Sequence, residues 1–240
     1  MNPLHSARVW RRLLHMATLT GVATLRLRGT RGDGIDNPHA AVRRGHAWAR
    51  GLVRALGIDL SVHGARPEGP HLLLANHRSY VDIVAILSQV PCAFLAKTEI
   101  EGWPLFGTAA RLTHTVFVKR DDAESRKAAR EGALALLQRG VSFAAFPEGT
   151  TFRGPGVLPF YSGLFRLAEQ YDFPVVPIAI EYADPSDAWV GDDAFVSHFL
   201  TAFRKRRMRV RLVFGKPIRA HQVDDLRDAT RTFILRRVRS

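Results

Sequence analysis

Apolar residues in the first 57 positions recur at helical spacing. The stretch from Leu13 to Leu25 is mostly apolar but is interrupted by His15 and several threonines. It falls short of the roughly 20 apolar residues that a membrane-spanning helix needs. Arg11, Arg12, Arg26 and Arg28 flank it, which suits a helix lying in the headgroup layer; an amphipathic helix packed on the domain has the same pattern, and both readings stay open. Residues 30–37 (TRGDGIDN) break the pattern, and Asn37-Pro38 reads as an N-cap followed by proline at the first helical position. A second helix then runs to about Gly57, its apolar and aromatic residues (Ala41, Val42, Trp48, Leu52, Val53, Leu56) separated by Arg43, Arg44, Arg50 and Arg54.

From Ile58 onward the period changes. Short apolar runs rich in β-formers, Leu72–Ala75, Cys92–Ala96, Thr115–Val118, Ser142–Phe146, Val175–Glu181 and Arg209–Phe214, read as strands. Helical patterns over Val81–Val90, Asp122–Arg139 and Gly163–Tyr171 separate them, and Val223–Arg239 reads as a final basic helix. The alternation predicts an α/β fold with a largely parallel central sheet flanked by helices. Residues 1–57 read as a basic helical hairpin, a candidate membrane-association region, and residues 58–240 as the α/β domain; no repeat or low-complexity linker divides the latter.

Composition narrows the class. An apolar fraction of 46% in 240 residues is ample for a buried core. The single Cys92 cannot form an internal disulfide, and its apolar neighbours suit a buried, inert thiol in a reducing, cytoplasmic setting. The N-terminus lacks the apolar core and small-residue cleavage site of a secretory signal. A net charge of +13 attracts polyanions, either nucleic acid or anionic headgroups, unless it reflects only an arginine-rich proteome. No helix-turn-helix, zinc or RNA-recognition signature accompanies it, so no nucleic-acid partner is expected. Nor does any His/Cys cluster have metal-ligand spacing; no metal and no cofactor are expected.

Several apolar runs end in residues able to do chemistry: Asn76-His77 after LLLA, Lys97 after AFLA, Lys119-Arg120 after TVFV, and Pro147-Glu148-Gly149-Thr150 after FAAF. Carboxyl ends of parallel strands share one edge, where open α/β folds bind ligands. A helix starting near Ser79 turns the Asp82 carboxylate back towards His77. There it can fix the imidazole tautomer and leave the other nitrogen to take a proton from a hydroxyl. The same residues also read as a Ser79-x-x-Asp82 capping box beside a turn histidine. Glu148 with the hydroxyls of Thr150 and Thr151 suits a polyol at the cleft mouth, although Pro-Glu-Gly-Thr is equally ordinary turn chemistry. Arg120 and Lys97 are candidates for holding a phosphate, or are solvated surface charges. There is no Gly-x-Ser-x-Gly elbow for a covalent hydrolase.

NHRSYVD, VFVKR, FPEGTT and VVPIAI, in this order and separation, resemble the four sequence blocks of the 1-acylglycerol-3-phosphate acyltransferase family, over roughly Leu60 to Ile218. The resemblance implies a glycerolipid acyltransferase-like fold. It also implies acyl transfer from an acyl thioester, on coenzyme A or acyl carrier protein as donor substrate, to a lysophospholipid hydroxyl. The expected acceptor is 1-acyl-sn-glycerol-3-phosphate, giving phosphatidate. It assigns the general base to His77 and its orienter to Asp82, acceptor phosphate binding to Arg120, acceptor binding to Glu148, Gly149 and Thr150, and the fourth-block proline to Pro177. It makes residues 1–57 similar to a helical extension seated in one leaflet, with the enzyme peripheral or monotopic on the cytoplasmic face of the cell membrane. Two positions depart from the family: His114 stands where glycine is common, and Thr151 where arginine follows Glu-Gly-Thr. Arg153 is the nearest substitute for that arginine. Glu-Gly-Thr-Thr together with Trp189-Val190-Gly191-Asp192 resembles the branch that acylates lyso-ornithine lipid, the alternative acceptor.

Overall fold

Three of the central strands carry unbroken apolar runs because they are covered on both faces. The computed structural model describes residues 3–29, 37–102, 107, 110, 113–191 and 193–239; residues 30–36, where the helical pattern breaks, and Asp192 lie outside the described residues. Helices α1 (Pro3–Gly29) and α2 (Pro38–Leu56) precede strand β1 (Ile58–His63). Then follow β2 (Leu72–Ala75), α3 (Val81–Leu87), β3 (Cys92–Lys97), a short 3₁₀ turn (Thr98–Gly102) and β4 (Val116–Val118). The rest alternates α4 (Ala123–Gln138), β5 (Ser142–Ala145), α5 (Gly163–Gln170), β6 (Val175–Tyr182), α6 (Phe195–Ala202), β7 (Met208–Phe214) and α7 (Val223–Leu235).

The seven strands form one sheet in the order β1-β7-β6-β2-β5-β3-β4. From β6 to β4 every pairing is parallel, whereas β7 runs antiparallel to β6 and carries β1 parallel to itself. Alternate residues of the central strands feed two cores. Leu73, Ala75, Val176, Ile178 and Ile180 pack under α1, α2, α3 and α6, and Leu72, Leu74, Phe143, Ala145 and Val175 under α4, α5 and α7. The expected α/β architecture is therefore the observed one. Strand β1 and helix α6 are additions to it. The sequence I-D-L-S-V-H alternates because β1 is an edge strand, and F-V-S-H-F-L-T-A packs two turns of aromatic and β-branched residues where a longer helical period would be needed to read it.

Local signals explain the helix ends. Asn37 Oδ1 accepts from the Ala40 amide at 3.1 Å, Pro38 begins α2, and Gly57 ends it in the left-handed region at φ 70. No helix among the described residues is long and apolar enough to cross a membrane. Instead α1 leaves Trp10, Leu14, Val22 and Leu25 exposed at spacings of four, eight and three, along one side of the helix. Its other side is tied down. Arg12 is 5% exposed and donates to the carbonyls of Phe203, Lys205 and Arg206 at 2.8 Å each. Burial, with Arg8 and Arg11 nearby, lowers its pKa to about 10, so it stays charged at neutral pH. Cys92 is fully buried, and burial pushes its thiol up, as an inert thiol requires.

At the end of β2 the Asn76 side chain continues the ladder. Its Nδ2 donates to the Ile180 carbonyl at 2.9 Å and its Oδ1 accepts from the Ile180 amide at 2.8 Å, all fully buried. Asn76→Ala strands both backbone groups of a central strand. The expected loss is about 2 to 4 kcal/mol of stability, read as a lower urea midpoint with unchanged slope.

Candidate active site

The chain leaves β2 in a tight loop, Asn76 to Tyr80, before α3 begins, and the first turn of α3 carries Asp82. Asp82 is fully buried, which a carboxylate tolerates only with its acceptor sites filled. Its Oδ2 accepts from the amides of Arg78 (2.6 Å) and Ser79 (2.9 Å) and from His77 Nδ1 (2.8 Å); its Oδ1 accepts from the Tyr182 hydroxyl at 2.6 Å. Of the capping box only one half is present, since Asp82 takes the Ser79 amide while its own amide goes to the Ser79 carbonyl, and the carboxylate that closes the turn is also the one that holds the histidine. With Nδ1–H donating to Asp82, Nε2 is the ring nitrogen left to accept a proton. The imidazole lies flat on Phe146, centroids 3.8 Å apart and planes 9° from parallel, and 14% of its side chain is open to solvent.

Glu148 comes from the end of β5, beside β2. It is 4% exposed, and each carboxylate oxygen takes a backbone amide, Oε1 that of His77 at 2.8 Å and Oε2 that of Leu158 at 2.9 Å. Burial raises its pKa against the opposing pull of those amides, Leu158's before His77's. The sequence reading sets this carboxylate at the cleft mouth against a polyol; in the structure it lies under the His77 loop and props it. Gly149 has φ 72, and a Cβ there would lie 2.7 Å from the Tyr161 ring, so both conformation and space demand glycine. Thr150 is exposed and Thr151 half-buried. The amide of Phe152 donates to the His77 carbonyl at 2.9 Å, which brings both threonines alongside the histidine.

Lys97 and Arg120 end the neighbouring strands β3 and β4, and both are exposed. Partial desolvation lowers the pKa of the Arg120 guanidinium, while Glu99 and Tyr161 nearby raise it. Arg153 is held instead by the loop that follows β6. Its Nη2 donates to the Ala188 carbonyl at 2.8 Å and pairs with Asp193 Oδ2 at 3.0 Å. Pro177 is buried in β6 opposite Leu74, a sheet position away from the cleft. His114 adopts φ 55, a left-handed turn that glycine enters without strain, which accounts for the glycine expected at that place. Trp189 donates its amide to the Arg78 carbonyl at 2.9 Å and sets its ring edge-on to Tyr80.

Three residues escaped the sequence reading. Tyr182, the last residue of β6, supports Asp82, and proximity to that carboxylate adds to burial in raising its pKa far up. Arg78 is 8% exposed and holds the 152–156 loop by donating to the carbonyls of Phe152, Gly154 and Gly156. Phe146 is the platform for the imidazole. Only Tyr182 carried a signal, a polar-tipped aromatic closing an apolar strand; the other two look like an ordinary surface charge and an ordinary core residue. Among the described residues no three His, Cys, Asp or Glu side chains gather as a metal site.

A buried carboxylate orienting a half-open histidine at the carboxyl edge of a parallel sheet suits proton abstraction from a hydroxyl. The Acyltransferase family model matches residues 59–181, a span that holds His77, Asp82, Arg120, Glu148 and Arg153. A lyso-ornithine lipid O-acyltransferase of Pseudomonas aeruginosa is 34% identical over 182 residues, 74% of this chain and 70% of its own. A 1-acyl-sn-glycerol-3-phosphate acyltransferase of Neisseria meningitidis serogroup B is 35% identical over 176 residues, covering 72% and 68%. The crystal structure of the 1-acyl-sn-glycerophosphate (LPA) acyltransferase PlsC from Thermotoga maritima matches with a TM-score of 0.73 over 97% of this chain and 92% of that one. At 22% identity it shows the shared fold. With the family model spanning just over half of its length, the chain belongs to the acyltransferase family.

Proposed function

We propose that this enzyme moves a fatty acyl group from an acyl thioester, carried by coenzyme A or acyl carrier protein, to the free hydroxyl of a lysolipid at a membrane surface. The observation that carries the reading is the His77–Asp82 pair at 2.8 Å with Nε2 facing away from the carboxylate. His77 Nε2 takes the hydroxyl proton as the oxygen attacks the thioester carbonyl carbon. A carbon–oxygen bond forms, and the carbonyl oxygen takes up the negative charge. Collapse breaks the carbon–sulfur bond, and the imidazolium returns its proton to the departing thiolate. Asp82 keeps the tautomer and stabilises the imidazolium in between.

For the acceptor, the two relatives described above offer two headgroups. The phosphate of 1-acyl-sn-glycerol-3-phosphate is supported by Arg120 and Lys97 at adjacent strand ends. Lyso-ornithine lipid is supported by Thr151 in place of an arginine and by the commitment of Arg153 to Asp193. Thr150, Thr151 and Gly149 line the approach to His77 in either case, and Glu148 acts through the His77 loop.

The exposed stripe of α1, with a net charge of +13, supports peripheral attachment to the cytoplasmic face of an anionic membrane. Exchanging Trp10 and Leu14, 68% and 67% exposed, for serine removes apolar area without touching the core. That pair of changes lowers binding to phosphatidylglycerol vesicles by about tenfold or more in a sedimentation assay, with an unchanged melting temperature.

His77→Ala abolishes transfer of a labelled acyl group to any lysolipid while vesicle binding persists; full turnover by this variant would end the reading. Tyr182→Phe removes one charge-assisted hydrogen bond from Asp82. It lowers kcat by about tenfold at unchanged KM, because Asp82 acts on the histidine and not on either substrate. Steady-state kinetics on one donor–acceptor pair checks the split.

A further inference from the structure

Consecutive carbonyls next to the reaction centre pin two loops. The His77 carbonyl accepts from the Phe152 amide and the Arg78 carbonyl from the Trp189 amide, each at 2.9 Å. The residue after Phe152 is Arg153, and the loop that begins at Trp189 leads to Asp193. The two loops meet where Arg153 Nη2 bridges them, to the Ala188 carbonyl and to Asp193 Oδ2. The side chains are 44% and 43% exposed, so the pair forms part of the surface beside the catalytic loop.

This is a one-point pairing. Both bonds of Arg153 leave from a single nitrogen, and the Asp193 carboxylate is engaged through Oδ2 alone, with the Val190 amide at 3.5 Å as its other neighbour. Among the described residues Nε and Nη1 of Arg153 and Oδ1 of Asp193 remain open, giving donors on one side and an acceptor on the other. A fork–fork pair would have consumed them. Nearby His198 is held towards its neutral form by burial, and Asp187 is matched by Lys205 at 2.5 Å. Among the described residues of these two loops, Arg153 and Asp193 thus present one positive and one negative charge. Thr151 adds a hydroxyl where an arginine would have made the rim cationic.

Resting on the acyl-transfer reading, we infer that Arg153 and Asp193 form the headgroup subsite for a zwitterionic acceptor, one bearing a carboxylate and a primary ammonium as an amide-linked ornithine does. The headgroup carboxylate takes the open donors of Arg153, and its ammonium donates to Asp193 Oδ1. A phosphate monoester meets the same cation but is repelled by the carboxylate beside it. Discrimination here therefore comes as much from Asp193 turning away the dianion as from attraction of the zwitterion.

The test offers the full-length enzyme one labelled acyl thioester and two acceptors of matched chain length, lyso-ornithine lipid and 1-acyl-sn-glycerol-3-phosphate. The wild type has the higher kcat/KM on the zwitterion. Asp193→Asn lowers that value and raises the value on the phosphate acceptor, moving their ratio by at least about tenfold. Arg153→Lys, which keeps the charge, retains more of the preference than Arg153→Gln. Melting curves of each variant register any loosening of the loops, which lowers both acceptors together and leaves the ratio in place. A wild-type preference for the phosphate acceptor, or an Asp193→Asn ratio within about twofold of wild type, overturns the inference. Transfer to neither acceptor overturns the acyl-transfer reading itself, and this one with it.

Discussion

Asp82 is a carboxylate without solvent contact, and it sits at the first turn of a two-turn helix. Left unpaired in such a place, it would protonate or pull the structure open. Four donors satisfy it instead, from the Arg78 and Ser79 amides, the His77 ring and the Tyr182 hydroxyl. Those donors come from the loop after β2 and from the end of β6, so the site exists only when the two neighbouring strands are in register. Folding and catalytic geometry are consequently the same event here. The energy that forms the turn also fixes the imidazole, and no separate ordering cost falls on the histidine when substrate arrives.

Polar residues around this carboxylate serve mainly the backbone. Asn76 replaces a rung of the ladder to Ile180, Glu148 closes the amides of His77 and Leu158, and Arg78 gathers three carbonyls of the 152–156 loop. Each is a charged or amide side chain buried with its bonds made, which costs little as long as every partner stays. The result is a rigid catalytic loop bordered by exposed hydroxyls and cations. Chemistry is confined to one imidazole, and recognition is left to residues at the rim that can vary without disturbing it.

The central strands were legible because parallel strands covered on both faces are written as continuous apolar runs, and those runs end where the chemistry begins. Position on the sheet edge follows from the alternation of strands and helices, which places His77, Lys97, Arg120 and Glu148 at one end. The direction in which a side chain is spent was not legible. Glu148 reads as a substrate ligand and in the structure binds two backbone amides, while Arg153 reads as the substitute for a phosphate-binding arginine and is paired to Asp193. Tyr182 lies a hundred residues from Asp82, and only the β2–β6 pairing brings the two together. Edge strand β1 carries the alternating polarity of a half-buried strand, which a reading for continuous apolar runs passes over, whereas short α6 has too few turns to show a period.

Arg12 ties helix α1 to the segment that follows α6. Its guanidinium caps the carbonyls of Phe203, Lys205 and Arg206, just past the last turn of α6, while the same helix shows Trp10 and Leu14 to the outside. Helix α6 follows the loop that carries Trp189 and Asp193, and Trp189 is bonded to the Arg78 carbonyl. A continuous series of short contacts therefore runs from the exposed stripe of α1 to the peptide beside His77. Gly57 is part of it, since a Cβ there would lie 2.0 Å from the Arg12 guanidinium. Under the proposed attachment to a lipid surface, the catalytic nitrogen has to be held at a fixed height and angle to that surface. Anchoring the surface helix by a buried arginine to the element that borders the site, rather than by a flexible tether, meets that requirement with side chains already needed to fold the domain.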